Sequence, residues 1–273
     1  MALAHDLVLG VGIVEPTYLS GFTGGRKIVM PGIAHYSTID ANHYLIVDPR
    51  TKIGVLDGNP MHEDMMEMLE RVPLAWITNA VVGPEDEVVA VFSGDPRAAH
   101  RRACQRSAGI YTCHGASAKI VMASPGGAPY DVCMVQTKKA VVPATDIVEP
   151  GGVIILVGEN PECWGDEAAF EEWMTQLQPA EAVSRAKQRG LFSLGAHGAR
   201  ILAQPMVEKG ASVLLVTSDQ MREAAGDSFL DATSSIDEAL DEAHAIAGND
   251  ASVAVIRKAR RVIVSDEASR PHS

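Results

Sequence analysis

GGVIILVGENPECWGDEAAFEEWMTQL, residues 151–177, sets an unbroken Val/Ile/Leu run before a segment with helically spaced apolar residues and an acidic start. A run without polar alternation suits a strand buried on both faces, and acids at a helix start suit the positive end of its dipole. The same rhythm continues outwards on both sides. Upstream, KIVMASPGG (119–127) predicts a strand ending in a Gly/Pro loop, with a helix over 134–147. Downstream, AHGARILAQPMVEKG (196–210) predicts a helix disturbed at Pro205, and ASVLLVTS (211–218) a strand. SSIDEALDEAHAIAG (234–248) predicts a helix capped by Ser235 and stopped by Gly248, and ASVAVIRKARRVIVS (251–265) has strand character. Successive β-α units of this kind make a doubly wound, mostly parallel sheet. The small and polar residues of SAGIYTCHGASAK (107–119) place its start near Gly109, so the chain is expected to be an α/β protein of two lobes, 1–108 and 109–273.

The first lobe reads as a partial α/β domain. LVLGVGIV (7–14) is a strand rather than the apolar stretch of a signal peptide, because Asp6 precedes it and no basic segment leads into it. From Met61 an amphipathic helix presents Met65, Met66 and Leu69. LAWITNAVVG (74–83) and EVVAVFSG (87–94) are strands, and Asp95 is the cap of a helix over 96–107. With few strands and a dense loop, this half looks like the later part of a larger domain.

Composition narrows the function classes. The 273 residues are 47% hydrophobic, enough to bury one or two cores. A net charge of −12 with no basic stripe argues against a nucleic-acid partner, since such binding rests on phosphate contacts. No apolar run approaches the roughly 18–20 residues that a membrane span needs. Cys104, Cys113, Cys133 and Cys163 show no metal or disulfide spacing, the usage expected of reduced thiols in the cytoplasm.

The chemistry-bearing stretch is GFTGGRKIVMPGIAHYSTIDANH, residues 21–43. Gly21, Gly24 and Gly25 precede Arg26 and Lys27, so the backbone can turn sharply and approach a ligand. Taken alone, the stretch also reads as a surface turn with solvated cations. It is not a Walker A loop, because Arg26 separates glycine from lysine and Ile28 follows. Nor do Gly10 and Gly12 open a dinucleotide fingerprint, because Glu15 stands where the third glycine belongs. SPGGAP (124–129) also lacks that glycine, which leaves a dinucleotide oxidoreductase weakly supported. His43 alone is most often a hydrogen-bonded structural residue, although imidazole suits nickel and other late transition metals.

The run VEPTYLSGFTGGRKIVMPGIAHYSTIDANH (14–43), followed by GNPMHED, FSGDPRAAH, SPGG, QTKKA and GAHGARILA in order, resembles the lactate racemase family. Its members use a nickel-pincer nucleotide. The resemblance implies that Lys27, behind Gly24 and Gly25, tethers that cofactor through a thioamide, and that His43, behind Asn42, coordinates nickel. Gln136 and Lys139 match a Gln-x-x-Lys element directed at the active site, whose lysine would hold the substrate carboxylate or the cofactor by charge. Lys138 is adjacent, so Lys139 is chosen on spacing alone. The glycine loop, His43 and this element are expected at one cleft.

Two departures follow from the same match. Thr17 stands where the family has a histidine after Val-Glu-Pro, one of two acid/base groups, and a threonine hydroxyl cannot relay protons near neutral pH. The family's upstream section, with the other histidine and a substrate-gripping arginine, has no counterpart. The implied function is a 2-hydroxy-acid racemase or epimerase working by hydride transfer, in a truncated or split form. A separate chain would supply the missing half and cover an exposed apolar surface. The alternative is a non-catalytic homologue that binds a ligand or partner.

Overall fold

A computed structural model describes residues 2–265. They fall into two compact units, Met1–Thr112 and Cys113–Ser273. The first unit is built on a three-stranded sheet of β1 (Val8–Val14), β4 (Leu74–Val82) and β5 (Val88–Gly94), with β4 in the middle. Strand β1 runs parallel to β4, and β5 runs antiparallel to it. Between β1 and β4 lie the ribbon of β2 (Pro16–Thr17) and β3 (Gly21–Phe22), a 3-10 turn at Gly25–Ile28, and the helices α1 (Tyr36–His43) and α2 (Pro60–Glu70). Helix α3 (Pro96–Tyr111) completes the unit.

Small residues decide where the turn sits. A side chain at Gly10 would begin 2.8 Å from Ile28 Cδ1, so glycine lets the turn lie directly on the inner face of β1. That face packs Ile77, Leu74, Val29, Leu69 and Ala99 into one core. Helix α2 begins where the Asn59 carboxamide accepts from the Met61 and His62 amides, at 3.1 and 3.3 Å. It buries Met61, Met65 and Leu69, spaced i, i+4, i+8; Met66, expected inside, is only half-buried. Asp95 caps α3 as its sequence suggests, accepting from Arg97 and Ala98. The helix runs past residue 107 to Tyr111, whose hydroxyl donates to the carbonyls of Val82 and Gly83 and fixes the last turn against β4.

The second unit carries β6 (Thr112–His114), β7 (Ala118–Ala123), α4 (Met134–Thr137), α5 (Val141–Ile147), β8 (Val148–Val157), α6 (Ala168–Gln176) and α7 (Pro179–Ala186). Then follow α8 (His197–Lys209), β9 (Ser212–Val216), α9 (Asp219–Ala225), β10 (Asp231–Thr233), α10 (Ile236–Ala247), β11 (Val253–Ile256) and β12 (Ile263–Ser265), which pairs with β6. The main sheet is parallel throughout, in the order β10-β9-β8-β7-β11. Ile120, Val153, Ile155, Leu214 and Val216 pack on Ala239 and Ala243 of α10, while α5 and α8 pack against β7, β8 and β9. The doubly wound α/β sheet read from the sequence is therefore present.

Two local expectations change. The helix over 134–147 is two helices joined by a 3-10 turn at Lys138–Ala140, because Pro143 has no amide to donate back to residue 139. In α8 the opposite holds. Pro205 does not stop the helix, which runs on to Lys209 and ends at Gly210 with φ of 61°; the buried residues Ile201, Leu202, Ala203 and Pro205 keep it packed through the missing hydrogen bond. Among the described residues no helix is long and apolar enough to cross a membrane.

Candidate active site

The glycine pair after β3 is demanded by close approach. Gly24 has φ of 72°, and a Cβ there would lie 2.6 Å from Val14 Cγ2 and 2.9 Å from the Ile13 carbonyl oxygen. Gly25 has φ of 53°, and a Cβ there would enter the His100 ring at 2.4 Å. The Gly25 amide donates to Asn79 Oδ1 at 2.9 Å, which pins the loop to the middle strand of the sheet. Next to it, Thr23 Oγ1 donates to the Ile13 carbonyl and accepts from the Glu15 amide, both at 2.9 Å.

Arg26 corrects the reading of this loop as a turn with solvated cations. Its side chain is 1% exposed. One Nη donates to the Ser20 carbonyl, and the other lies 3.0 Å from His100 Nε2. Burial lowers the guanidinium to about 10. Burial first, and the Arg26 charge second, push His100 down to about 3, so its ring is neutral. That ring accepts from Arg26 at Nε2 or donates from it to the Thr23 carbonyl, 2.9 Å away, but not both at once. The thiol of Cys104, 3.3 Å from the same nitrogen, is pushed up to about 12 by burial and stays protonated. The loop is therefore held from beneath by an arginine, while Lys27, half-buried, is the next residue along the turn.

His43 ends α1 and is 8% exposed. Its Nδ1 lies 2.9 Å from the Ile39 carbonyl oxygen, an acceptor only, so Nδ1 carries the proton and Nε2 the lone pair. The preceding Asn42 is buried and donates to the Met61 carbonyl at 3.2 Å and to Asp64 Oδ2 at 2.7 Å, tying α1 to α2. The Lys27 turn packs on the same helix α2. Thr17 pairs with Gly21 across the β2-β3 ribbon and is half-buried.

In the second unit Lys139 Nζ donates to Gln136 Oε1 at 2.5 Å, so these two residues meet. Lys138 points elsewhere. It is 1% exposed, lies 3.2 Å from Glu167 Oε2 and 4.6 Å from the centre of the Phe170 ring, and burial lowers its pKa.

The histidines of the first unit were not legible as a group. His62 and His100 line an open groove of about 620 Å³ together with Asp57, Glu63, Arg97 and Arg101. Arg101 grips Asp57 through two hydrogen bonds, and Arg97 pairs with Glu70. His62 Nδ1 is buried and has no hydrogen-bond partner among the described residues, and burial, with Arg26 adding repulsion, lowers the ring to about 4. Their only sequence signal was membership of GNPMHED and FSGDPRAAH, which says nothing of burial.

For the group that the family resemblance implies, the donor set is the test. An imidazole with Nδ1–H fixed to a backbone carbonyl presents Nε2 as a ligand, and a metal carried inside its own organic chelate needs few protein donors. Lys27 follows a glycine pair whose backbone admits close approach. On that test the residues around Lys27 and His43 are compatible with such a group.

Residues 1–54 match the family model described as the lactate racemase N-terminal domain, and residues 113–264 match that of the lactate racemase C-terminal domain. The chain is 32% identical to a lactate racemase of Thermoanaerobacterium thermosaccharolyticum over 271 residues, covering 98% of this chain and 63% of that protein. It is 30% identical to a lactate racemase of Lactiplantibacillus plantarum over 268 residues, covering 97% and 63%. It therefore spans less than two thirds of these relatives. The apoprotein structure of the Thermoanaerobacterium enzyme superposes with a TM-score of 0.91 over 97% of this chain and 64% of its own. A protein of Thermotoga maritima, 20% identical with a TM-score of 0.65 over 96% and 67%, shares the fold.

Proposed function

This chain belongs to the lactate racemase family, and on that premise we propose that it is the cofactor-bearing part of a racemase or epimerase of small 2-hydroxy acids. The observation that carries the reading is the loop at Gly24–Lys27, where two conformationally obligatory glycines and a buried arginine fix the backbone on which Lys27 stands.

A tethered nickel-pincer nucleotide supplies an acceptor and donor of hydride at the substrate Cα. The chain's own residues do the rest. Lys27 would hold the group at its amine, and His43 would bind the metal through Nε2. The carbonyl of Ile39 keeps the proton on Nδ1, which places the ring's lone pair on Nε2. Gln136 and Lys139 meet through one hydrogen bond, and their amide and ammonium donors would suit a carboxylate. Racemisation also needs a base for the hydroxyl proton on each face. Thr17 cannot act as one, so the acid/base pair must come from other residues.

Thr17 also favours a second reading, a family member that binds ligand or partner without turnover. One assay separates the two. The chain is co-expressed with cofactor-synthesis proteins and given single enantiomers of several 2-hydroxy acids, and the opposite enantiomer is followed by chiral chromatography. Missing acid/base groups cost about 10²–10⁴-fold each, so the chain alone is expected to be nearly inactive. With the unmatched part of a relative supplied, racemisation is expected, and it is lost in Lys27→Ala. Ligand binding with no racemisation in either state supports the non-catalytic reading.

A further inference from the structure

We propose that Arg200, in the first turn of α8, is an anion-binding residue that takes the oxyanion of a small ligand, a carboxylate or a phosphate, on its guanidinium. The proposal concerns the second unit alone and does not depend on the cofactor reading.

Four cationic side chains are buried among the described residues: Arg26, Lys138, Arg200 and Arg261. Three of them have partners. Both Nη of Arg26 are engaged, by the Ser20 carbonyl and by His100 Nε2. Lys138 pairs with Glu167 and lies over the Phe170 ring. Arg261 donates to the Tyr130 hydroxyl at 3.2 Å, beside the same ring. Arg200 is the exception. It is 7% exposed, its Nε is buried without a partner, and among the described residues its Nη atoms make no hydrogen bond or ion pair. Five N–H donors on a permanent charge are left without an acceptor. Burial lowers its pKa, and the charge that offsets this is the Glu208 carboxylate, two turns further along α8. That carboxylate already accepts from Gln204 Nε2 at 3.0 Å.

The backbone adds to the same field. Helix α8 opens at Ala196, which has no side chain to cap it, and its first turn, His197–Arg200, carries no acid. The positive end of a 13-residue helix is therefore not offset there. The Cα–Cβ bonds of a helix tilt toward its N-terminus, so the Arg200 side chain leaves the backbone toward that turn. Helix α8 packs on α5, α6 and α7, which puts the charge on a rigid element rather than a loop. A desolvated charge without a counter-ion is costly, and the group that supplies the counter-ion removes the cost. The planar fork of a guanidinium matches two oxygens of a carboxylate or phosphate, which fixes the class of ligand.

The test titrates sodium phosphate, sodium acetate and sodium chloride, at matched ionic strength, into the full chain. Proton–nitrogen NMR follows the arginine Nε–Hε signals, and melting temperature is read in parallel. One signal, absent from Arg200→Met, is expected to move saturably with phosphate or acetate and not with chloride. At tenfold excess over Kd, melting should rise by about 3–6 °C. A response to phosphate alone assigns a phosphate-bearing ligand, and a response to acetate a carboxylate. Arg200→Lys keeps the charge without the fork and is expected to bind at least fivefold more weakly. Arg200→Met is expected to lose the response and, in chloride, to melt no lower than the wild type, because it deletes a charge that has no partner. No saturable response in the wild type, one of equal size in chloride, or one that persists in Arg200→Met would overturn the proposal. So would a melting temperature of Arg200→Met lower by more than about 5 °C in chloride, which would make the arginine a support of the fold.

Discussion

The Arg26 guanidinium meets the His100 imidazole at 3.0 Å, with both side chains buried and the two residues 74 positions apart in the chain. The contact couples the cofactor-type loop to α3. It also disfavours protonation of the histidine, because burial and the Arg26 charge both oppose a second positive charge there.

Acid lability follows from that arrangement. His100 and His62 are held near 3 and 4 in the fold, against an ordinary value near 6.5. Below about pH 6.5 the unfolded chain binds protons that the folded one refuses, so stability is full above that value and falls as the pH drops. Each group contributes a slope of about 1.4 kcal/mol per pH unit. Denaturant unfolding of the first unit at pH 7, 6 and 5 is expected to show the fall, and His62→Gln to remove about half of it. Equal stability at pH 7 and 5 would contradict the assignment.

Gly25→Ala and Gly58→Ala separate backbone strain from collision. Both glycines have positive φ, 53° and 81°, but only at Gly25 does a Cβ meet anything, the His100 ring. Gly58→Ala is expected to cost about 1–2 kcal/mol for its left-handed backbone alone. Gly25→Ala is expected to cost clearly more and to displace His100, which melting curves of the pair will show.

Asn42→Ala removes the two hydrogen bonds that clamp α1 to α2 and leaves Asp64 without its amide donor. A loss of about 1–3 kcal/mol is expected. Because His43 is the next residue, nickel content after co-expression with cofactor-synthesis proteins should fall as well. Unchanged melting would show that the clamp carries no load.

Lys138 and Lys139 should behave oppositely. Lys138→Met replaces a buried ammonium by an apolar chain of like length, and half-exposed Glu167 can rehydrate, so stability should move by no more than about 1 kcal/mol. Substrate affinity should not change. Lys139→Met should leave melting unchanged and raise KM about 10–100-fold, the worth of one charge-assisted hydrogen bond. Reversed effects would exchange the two roles.

The second unit was the more legible because its central strands β7, β8 and β9 carry continuous apolar runs and α10 carries its own punctuation in Ser235 and Gly248, whereas β10, Asp-Ala-Thr, offered no such signal. Pro143 and Pro205 show the limit. The same residue broke one helix and was absorbed by another, and the difference lies in tertiary packing. In the candidate site, glycine spacing and the Asn-His pair singled out the segment 21–43. The buried arginine did not show itself, since nothing local distinguishes Arg26 from Lys27; the imidazole it meets, His100, comes from α3. Asn79 was hidden for the same reason, as one polar residue in a strand whose inner face is otherwise apolar.

The central claim is that Lys27 carries the cofactor. Intact mass spectrometry of the chain co-expressed with cofactor-synthesis proteins tests it most directly, with peptide mapping to locate any adduct. The expected result is a single covalent mass increment on the peptide containing Lys27, absent from Lys27→Ala and Lys27→Arg and retained in His43→Ala, which loses nickel instead. An unmodified wild-type chain, or an increment that survives in Lys27→Ala, would contradict it.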